Sequence, residues 1–329
     1  MDFESELVWL TEPIESEHTC GKCLDETQAL AALDSQRIFG RLTPPASEPD
    51  WHELRSASLA ALADSKDLRV LAHLTAAVIR VDTLSDALRM FPLISTWLTR
   101  YWDEVYPRID DDAIMRRNAL TFFADRVGVV DALRRVPIVK DPLLGPFSVR
   151  DFDVASGAAA HSDPGARTVT TDQINAALMA AEPQALRQLE ALASAASSAL
   201  ESVESTMFSR GGGSDAVPKL DPLTQTLQRL RQILAPHVAR QPDAPGKPAE
   251  SQVASPPRAA EVGVITSRQD VVRALDAVMT YYRNSEPGSL VPVIAERAKR
   301  LVSMSFIEAL AEIAPEALEP VKKAAGVRE

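Results

Sequence analysis

Cysteine and aromatic residues are scarce in this chain, and both shortages limit which class of protein it can be. The 329 residues include two cysteines, and phenylalanine, tryptophan and tyrosine together make up 5% of the sequence. β-Sheets are enriched in aromatic and β-branched residues, whereas alanine and leucine, which take their place here, favour helices. The composition therefore predicts an all-α protein, and its length allows two domains that each bury a core.

Long apolar runs and clustered basic residues are also missing. No stretch of about 18 apolar residues occurs, so we expect no membrane insertion. Residues 1–6 are acidic and lack the apolar core of a signal peptide. The formal net charge of −11 argues against a nucleic-acid-binding surface. With two cysteines and no export signal, the protein is expected to be cytoplasmic.

The region from Asp50 to Arg80 carries the clearest structural pattern. It predicts two amphipathic helices joined by a polar turn at residues 64–67. One face of each predicted helix consists of residues spaced by three or four: Trp51, Leu54, Ser58 and Leu62 in the first, and Leu68, Leu71, Leu74, Ala77 and Val78 in the second. The hairpin cannot bury both faces alone, so further helices must pack on it.

Three more helical stretches are predicted before residue 137. The first covers residues 83–106, with a kink or break expected at Pro92. The second covers residues 113–127, and a short third one covers residues 129–136. Residues 138–170 are rich in proline and glycine, and the alternation in residues 147–151 favours an extended chain there.

Two long helices are predicted in the middle of the chain. The first begins at Pro183 and ends at residues 211–213, which are all glycine. The second begins at Asp221. Before them, Thr170 and Gln173 have the spacing of a capping box that begins a shorter helix.

A proline-rich linker separates these helices from the end of the chain. Residues 241–261 contain five prolines, no aromatic residue and no apolar periodicity. We therefore expect an N-terminal helical domain over residues 1–150, a middle helical segment over residues 151–240 and a small C-terminal helical domain over residues 262–329.

Two sequence patterns resemble a known family. Asp50-Trp51, followed by Ser65-Lys66-Asp67-Leu68-Arg69, is similar to the signature of the ImpA N-terminal domain, which is found in the TssA proteins of bacterial type VI secretion systems. A second set near the end is similar to the C-terminal segment of short TssA proteins: Ser267-Arg268-Gln269-Asp270, Tyr282, Arg283, Glu286-Pro287-Gly288-Ser289, Pro292 and Glu296-Arg297-Ala298. Leu290 departs from that pattern, because family members usually carry a second proline there.

The resemblance implies a structural protein. It implies an oligomeric scaffold, a ring, that acts at the baseplate in assembly of the contractile sheath and inner tube, with the proteins of those parts as partners. It also implies no catalytic site, and no cofactor is expected. The residues expected to carry self-association are Glu286, Pro287, Ser289, Pro292, Ile294, Arg297 and Leu301, and those expected at partner contacts are Trp51, Lys66, Asp67 and Arg69.

The C-terminal domain is expected to self-associate on physical grounds as well. From Val262 onward the chain has nine basic and nine acidic residues, so no net charge opposes the packing of many copies. Its short helices also carry more apolar residues than a unit this small can bury internally, and oligomerisation is a common solution.

The turn residues Lys66, Asp67 and Arg69 admit two interpretations. In the first, they form a solvated turn in which Asp67 caps the second helix. In the second, they contact a partner or form an ion pair that fixes the hairpin. The first is preferred, because caps and surface turns commonly carry such residues.

A metal-dependent hydrolase is the alternative from another class of protein. It would use Cys20, Cys23 and the run Asp110–Asp112. The two cysteines lack the four ligands of a structural zinc site and the strand–helix setting of a redox pair. The three aspartates lack the spacing of a calcium loop and are better explained as the start of a helix, screened by Arg116 and Arg117.

Overall fold

Helices make up most of the chain that the structure describes. The computed structural model describes residues 2–44, 47–110, 112–143, 145–159, 169–238, 271–272, 275, 278–279, 282 and 290–303. The N-terminal helices are α1 (Phe3–Thr11), α2 (Gln28–Ser35), α3 (Trp51–Asp64), α4 (Leu68–Val81), α5 (Leu84–Arg100), α6 (Ile114–Thr121) and α7 (Asp131–Leu133). The later ones are α8 (Val149–Ala155), α9 (Thr171–Ala180), α10 (Pro183–Arg210), α11 (Asp221–Val238) and α12 (Val291–Ser303). The predicted mainly helical fold is confirmed.

Helix α4 lies at the centre of the N-terminal core. All of its residues from Val70 to Ile79 are buried, which a helix with neighbours on several sides requires. Helices α3, α5, α6 and α7 pack around it. The predicted α3–α4 hairpin is therefore confirmed, with Leu54, Ser58 and Leu62 of α3 on the buried face and Trp51 at its edge.

The long helix α10 packs along α5 on one side and α11 on the other. Its apolar stripe is buried throughout, and consists of Leu186, Leu189, Ala193, Ala196, Leu200, Val203 and Met207. Pro92 does not break α5, which continues to Arg100. The helices of the middle segment thus share one apolar core with those that precede them.

The segment after α6 differs from the two helices, over residues 113–127 and 129–136, that the sequence predicts. Helix α6 ends at Thr121, a 3₁₀ turn covers Phe122–Ala124, and a π-helical turn covers Arg126–Val130 before α7. Asp125 has an extended backbone, and its side chain accepts hydrogen bonds from the amides of Val127 and Gly128. The chain therefore stops and restarts its helix at this aspartate.

Among the described residues, a small β-hairpin is the exception to the helical fold. Strand β1 (Pro137–Asp141) pairs antiparallel with β2 (Gly145–Ser148). The predicted extended chain over residues 147–151 is correct only to Ser148. This serine and Asp151 form a capping box that begins α8, so the chain turns helical at Val149.

The chain divides into two compact units, Met1–Pro245 and Gly246–Glu329. In the second unit, α12 is described together with helical backbone at Val271, Val272, Leu275, Val278, Met279 and Tyr282. The predicted linker lies outside the described residues, and the predicted domain boundaries remain predictions. No described helix combines the length and apolar character that crossing a bilayer requires.

Candidate functional site

The turn between α3 and α4 is buried, so its predicted solvation is wrong. Lys66 is 2% exposed and Asp67 is fully buried. The physical reason is that the turn lies between two other segments of the chain. The amide of Lys66 donates to the carbonyl of Cys20 on one side, and the amide of Tyr106 donates to the carbonyl of Lys66 on the other. We call residues 65–67 the central turn.

The side chain of Lys66 binds the end of α1. Its Nζ donates to the carbonyl oxygen of Leu10 over 2.8 Å and lies 5.0 Å from the ring centre of Trp97. The indole of Trp97 donates to the same carbonyl over 2.9 Å. Burial lowers the pKa of Lys66 to about 8. The lysine therefore fixes the first helix to the core and is not available at the surface.

Asp67 has the capping role that the sequence predicts. Its side chain accepts a hydrogen bond from the amide of Arg69 and so begins α4. The guanidinium of Arg69 returns two hydrogen bonds to the same carboxylate and also pairs with Asp25, 2.7 Å away. The ion pair fixes the hairpin and ties the N-terminal segment to it. Partner contacts at these residues remain a prediction.

Arg116 does not screen the aspartates of residues 110–112, contrary to the sequence interpretation. It is fully buried, and its guanidinium donates to three backbone carbonyls over 2.7–2.9 Å, those of Trp102, Val105 and Pro107. Burial lowers its pKa to about 10. Arg116 therefore satisfies the carbonyl groups that follow the end of α5.

The residues of the hydrolase alternative do not gather into a metal site within the described chain. No group of three or more His, Cys, Asp or Glu side chains there is placed to hold a metal ion. Cys20 is buried, and burial raises the pKa of its thiol to about 11, whereas Cys23 is exposed. Asp112 accepts a hydrogen bond from the amide of Ile114 at the start of α6, as the helix-start interpretation predicts. Asp111 lies outside the described residues.

A cleft of about 540 Å³ opens beside Trp51. The guanidinium of Arg80 lies 3.8 Å from the ring centre of Trp51 and donates to the carbonyls of Val127 and Gly128. The indole nitrogen of Trp51 donates to Glu48 over 2.8 Å. Trp51, one of the predicted contact residues, thus lines an open cleft, which we call the Trp51 cleft.

The segment after α2 forms one wall of the Trp51 cleft and is fixed to the π-helical turn. Phe39 stacks on Phe122 with ring centres 4.7 Å apart. The amide of Gly40 donates to Asp125 over 2.8 Å. A β-carbon on Gly128 would lie 2.9 Å from the ring of Phe39, so only glycine allows this approach.

Four arginines line the Trp51 cleft, and the sequence interpretation identified none of them. They are Arg37, Arg41, Arg80 and Arg135. They come from three separate parts of the chain, so their proximity has no local signature. The sequence signal that was available is the pair Arg37 and Arg41, four residues apart in an otherwise acidic N-terminal segment.

The structure describes some of the residues that are predicted to carry self-association. Pro292 and Ile294 lie in α12, where Ile294 is 66% exposed. Arg297 and Leu301 belong to the same helix. Glu286, Pro287 and Ser289 lie outside the described residues, and self-association at this helix remains a prediction.

The fold and these sites indicate what class of protein this is. This is a mainly helical protein with a buried, structural central turn and an open cleft beside Trp51. A family model described as ImpA, N-terminal, type VI secretion system, matches residues 11–125. The type VI secretion system component TssA1 of Pseudomonas aeruginosa is 30% identical over 309 residues, which cover 89% of this chain and 88% of that protein.

A solved structure shares the fold. The N-terminal domain of the TssA component from Burkholderia cenocepacia, which includes the conserved ImpA_N region, matches with a TM-score of 0.57 and 22% identity, over 73% of this chain and 96% of that domain. The match to TssA1 shows the family. The chain belongs to the TssA family of type VI secretion system components, as its sequence signature predicts.

Proposed function

We propose that this protein is an oligomeric, cytoplasmic scaffold of the type VI secretion machine, which acts at the baseplate in assembly of the contractile sheath and inner tube. The observation that carries the proposal is the match to TssA1, because it extends over 89% of this chain and 88% of that component. A relative that matched only the N-terminal unit would support the fold without the assembly role.

Each of the two units has its own role in this proposal. The first unit holds the buried central turn and the Trp51 cleft and presents a surface to partners. The second unit supports self-association, because Ile294 of α12 is 66% exposed and Leu290, just before that helix, is 74% exposed. Large apolar side chains at the surface of one helix are a common feature of oligomer interfaces.

The experiment tests assembly in the cell and in solution with the same variants. The gene is deleted in its own bacterium and complemented with wild type, Ile294→Asp or the matched control Ile294→Val, and a fluorescent sheath subunit is imaged. Wild type and Ile294→Val should restore extended sheaths, whereas Ile294→Asp should not. Light scattering on the purified full chains should show a high-order oligomer that Ile294→Asp dissociates. Sheath assembly without the gene, or a monomeric wild-type chain, would refute the proposal.

A further inference from the structure

The Trp51 cleft carries cations whose charge is not balanced by its own acids. Among the described residues, neither Arg37 nor Arg135 has a carboxylate within salt-bridge distance, and Arg41 donates from its Nε to the carbonyl of Arg37. The side chains of Arg37 and Arg135 are exposed. In a chain with a formal charge of −11, unpaired arginines that share one cleft call for an explanation.

The acids in the same lining are occupied by other groups. Glu48 accepts from the indole of Trp51, and Asp82 pairs with Arg55, which lies outside the cleft lining. Asp131 is 4.0 Å from both Arg126 and Arg134. Because two of these three acids pair with arginines outside the lining, the four lining arginines leave the cleft with a net positive field toward a ligand.

The shape and lining of the cleft suit a polypeptide. A volume of about 540 Å³ far exceeds a single phosphate group and falls in the range of pockets that hold several side chains. Apolar groups of Ile38, Trp51, Ile79, Val136 and three prolines line the cleft together with the arginines. A lining that is both apolar and cationic matches an extended segment whose acidic side chains are separated by other residues.

The walls are fixed before any ligand binds. Phe39 and Gly40 hold the segment that carries Arg37 and Arg41 against Phe122 and Asp125. Arg80 is held by three backbone carbonyls. A preformed site loses less conformational entropy on binding than a flexible one.

We propose that the Trp51 cleft is a docking site for an acidic, extended segment of a partner protein, with Arg37, Arg41 and Arg135 as the residues that pair with its carboxylates. This proposal adds a binding site to the proposed scaffold function. It depends on that function only in taking the partner to be a protein of the secretion machine. Nucleic acid is the weaker candidate, because the net charge of the chain repels a polyanion at long range.

The test uses the full chain and a fluorescein-labelled hexaglutamate peptide in an anisotropy titration, with labelled hexaglutamine as the uncharged control. The charge-reversal variant is Arg37→Glu with Arg135→Glu. Its matched control is Arg187→Glu with Lys219→Glu, which makes the same charge change at exposed positions away from the cleft. A neutral pair, Arg37→Gly with Arg135→Gln, serves if the reversal variant unfolds.

We expect hexaglutamate to bind, hexaglutamine not to bind, and the cleft variants to weaken hexaglutamate binding by about tenfold or more while the control pair has little effect. Equal loss in the cleft and control pairs would show an effect of net charge alone and refute the proposal. No binding at about 1 mM peptide, or stronger competition by tripolyphosphate or a single-stranded oligonucleotide than by unlabelled hexaglutamate, would also refute it. Because the titration needs neither ring formation nor sheath assembly, its failure is distinguishable from failure of the scaffold function.

Discussion

The central turn and the Trp51 cleft use cationic side chains in opposite ways. Lys66 in the central turn and Arg116 in α6 are buried and donate to backbone carbonyls. At the cleft, Arg37 and Arg135 are exposed and have no carboxylate partner among the described residues. A basic residue therefore builds the fold in one region and remains free for a ligand in the other.

The difference depends on which carbonyl groups would lack a hydrogen-bond donor without these side chains. A carbonyl at the end of a helix has no partner within that helix, and burying it without one costs stability. Lys66 supplies such a partner at the end of α1, and Arg116 does the same for carbonyls in the segment that follows α5. The exposed arginines of the cleft meet water instead, so their removal leaves no buried group unpaired.

Of the first three predictions, the one with the largest expected effect compares two aspartates that both begin helices. Asp67→Ala removes a buried carboxylate that binds the amide and guanidinium of Arg69, and should lower the free energy of unfolding by roughly 2 to 4 kcal/mol. Asp50→Ala removes an exposed cap of α3 and should cost only about 1 kcal/mol. Urea unfolding followed by tryptophan fluorescence measures both, because all four tryptophans precede residue 103. Equal losses of unfolding free energy in the two variants would show that the buried Asp67 stabilises the fold no more than an exposed helix cap does.

A smaller effect is expected from the titration of Lys66. Its pKa falls from 10.5 to about 8 in the folded state, so the unfolded chain binds more protons between these values. The cost of the buried charge is complete below about pH 8 and declines as the pH rises toward the unfolded value. Relative to Lys66→Met, wild type should gain about 2 kcal/mol in unfolding free energy between about pH 7 and about pH 9.5. A pH-independent difference between the two proteins would place Lys66 in water.

The smallest expected effect lies at the cleft. Arg37 has a φ of 48°, in the left-handed region where glycine carries no steric penalty. Arg37→Gly should therefore leave the unfolding temperature unchanged or raise it slightly, by the equivalent of at most about 1 kcal/mol. Differential scanning calorimetry of wild type, Arg37→Gly and the milder control Arg37→Asn measures it. A clear loss of stability in both variants would mean that the Arg37 side chain supports the fold.

Periodic features were predictable from the sequence because they depend on neighbours along the chain. The buried stripe of α10 and the hairpin of α3 and α4 follow from apolar spacing. The Thr170 capping box follows from two residues three apart. The family signature was readable for the same reason, since its residues are close together in sequence.

Features that depend on distant partners were not predictable. Lys66 and Asp67 have the composition of a surface turn, and only the segments at Cys20 and Tyr106 make that turn buried. Arg116 follows three aspartates, yet its partners are carbonyls. The cleft gathers arginines from separate segments, so spacing along the chain gave no sign of it.

The most direct measurement makes the same substitution in both regions. Arg116→Met and Arg135→Met are compared by urea unfolding of the full chain under one set of conditions. We expect Arg116→Met to lower the unfolding free energy by about 3 kcal/mol or more, because it leaves three carbonyls without their donor. Arg135→Met should stay within about 0.5 kcal/mol of wild type, as exposed substitutions usually do. Similar losses in the two variants would contradict the separation of fold-building cations from those of the cleft.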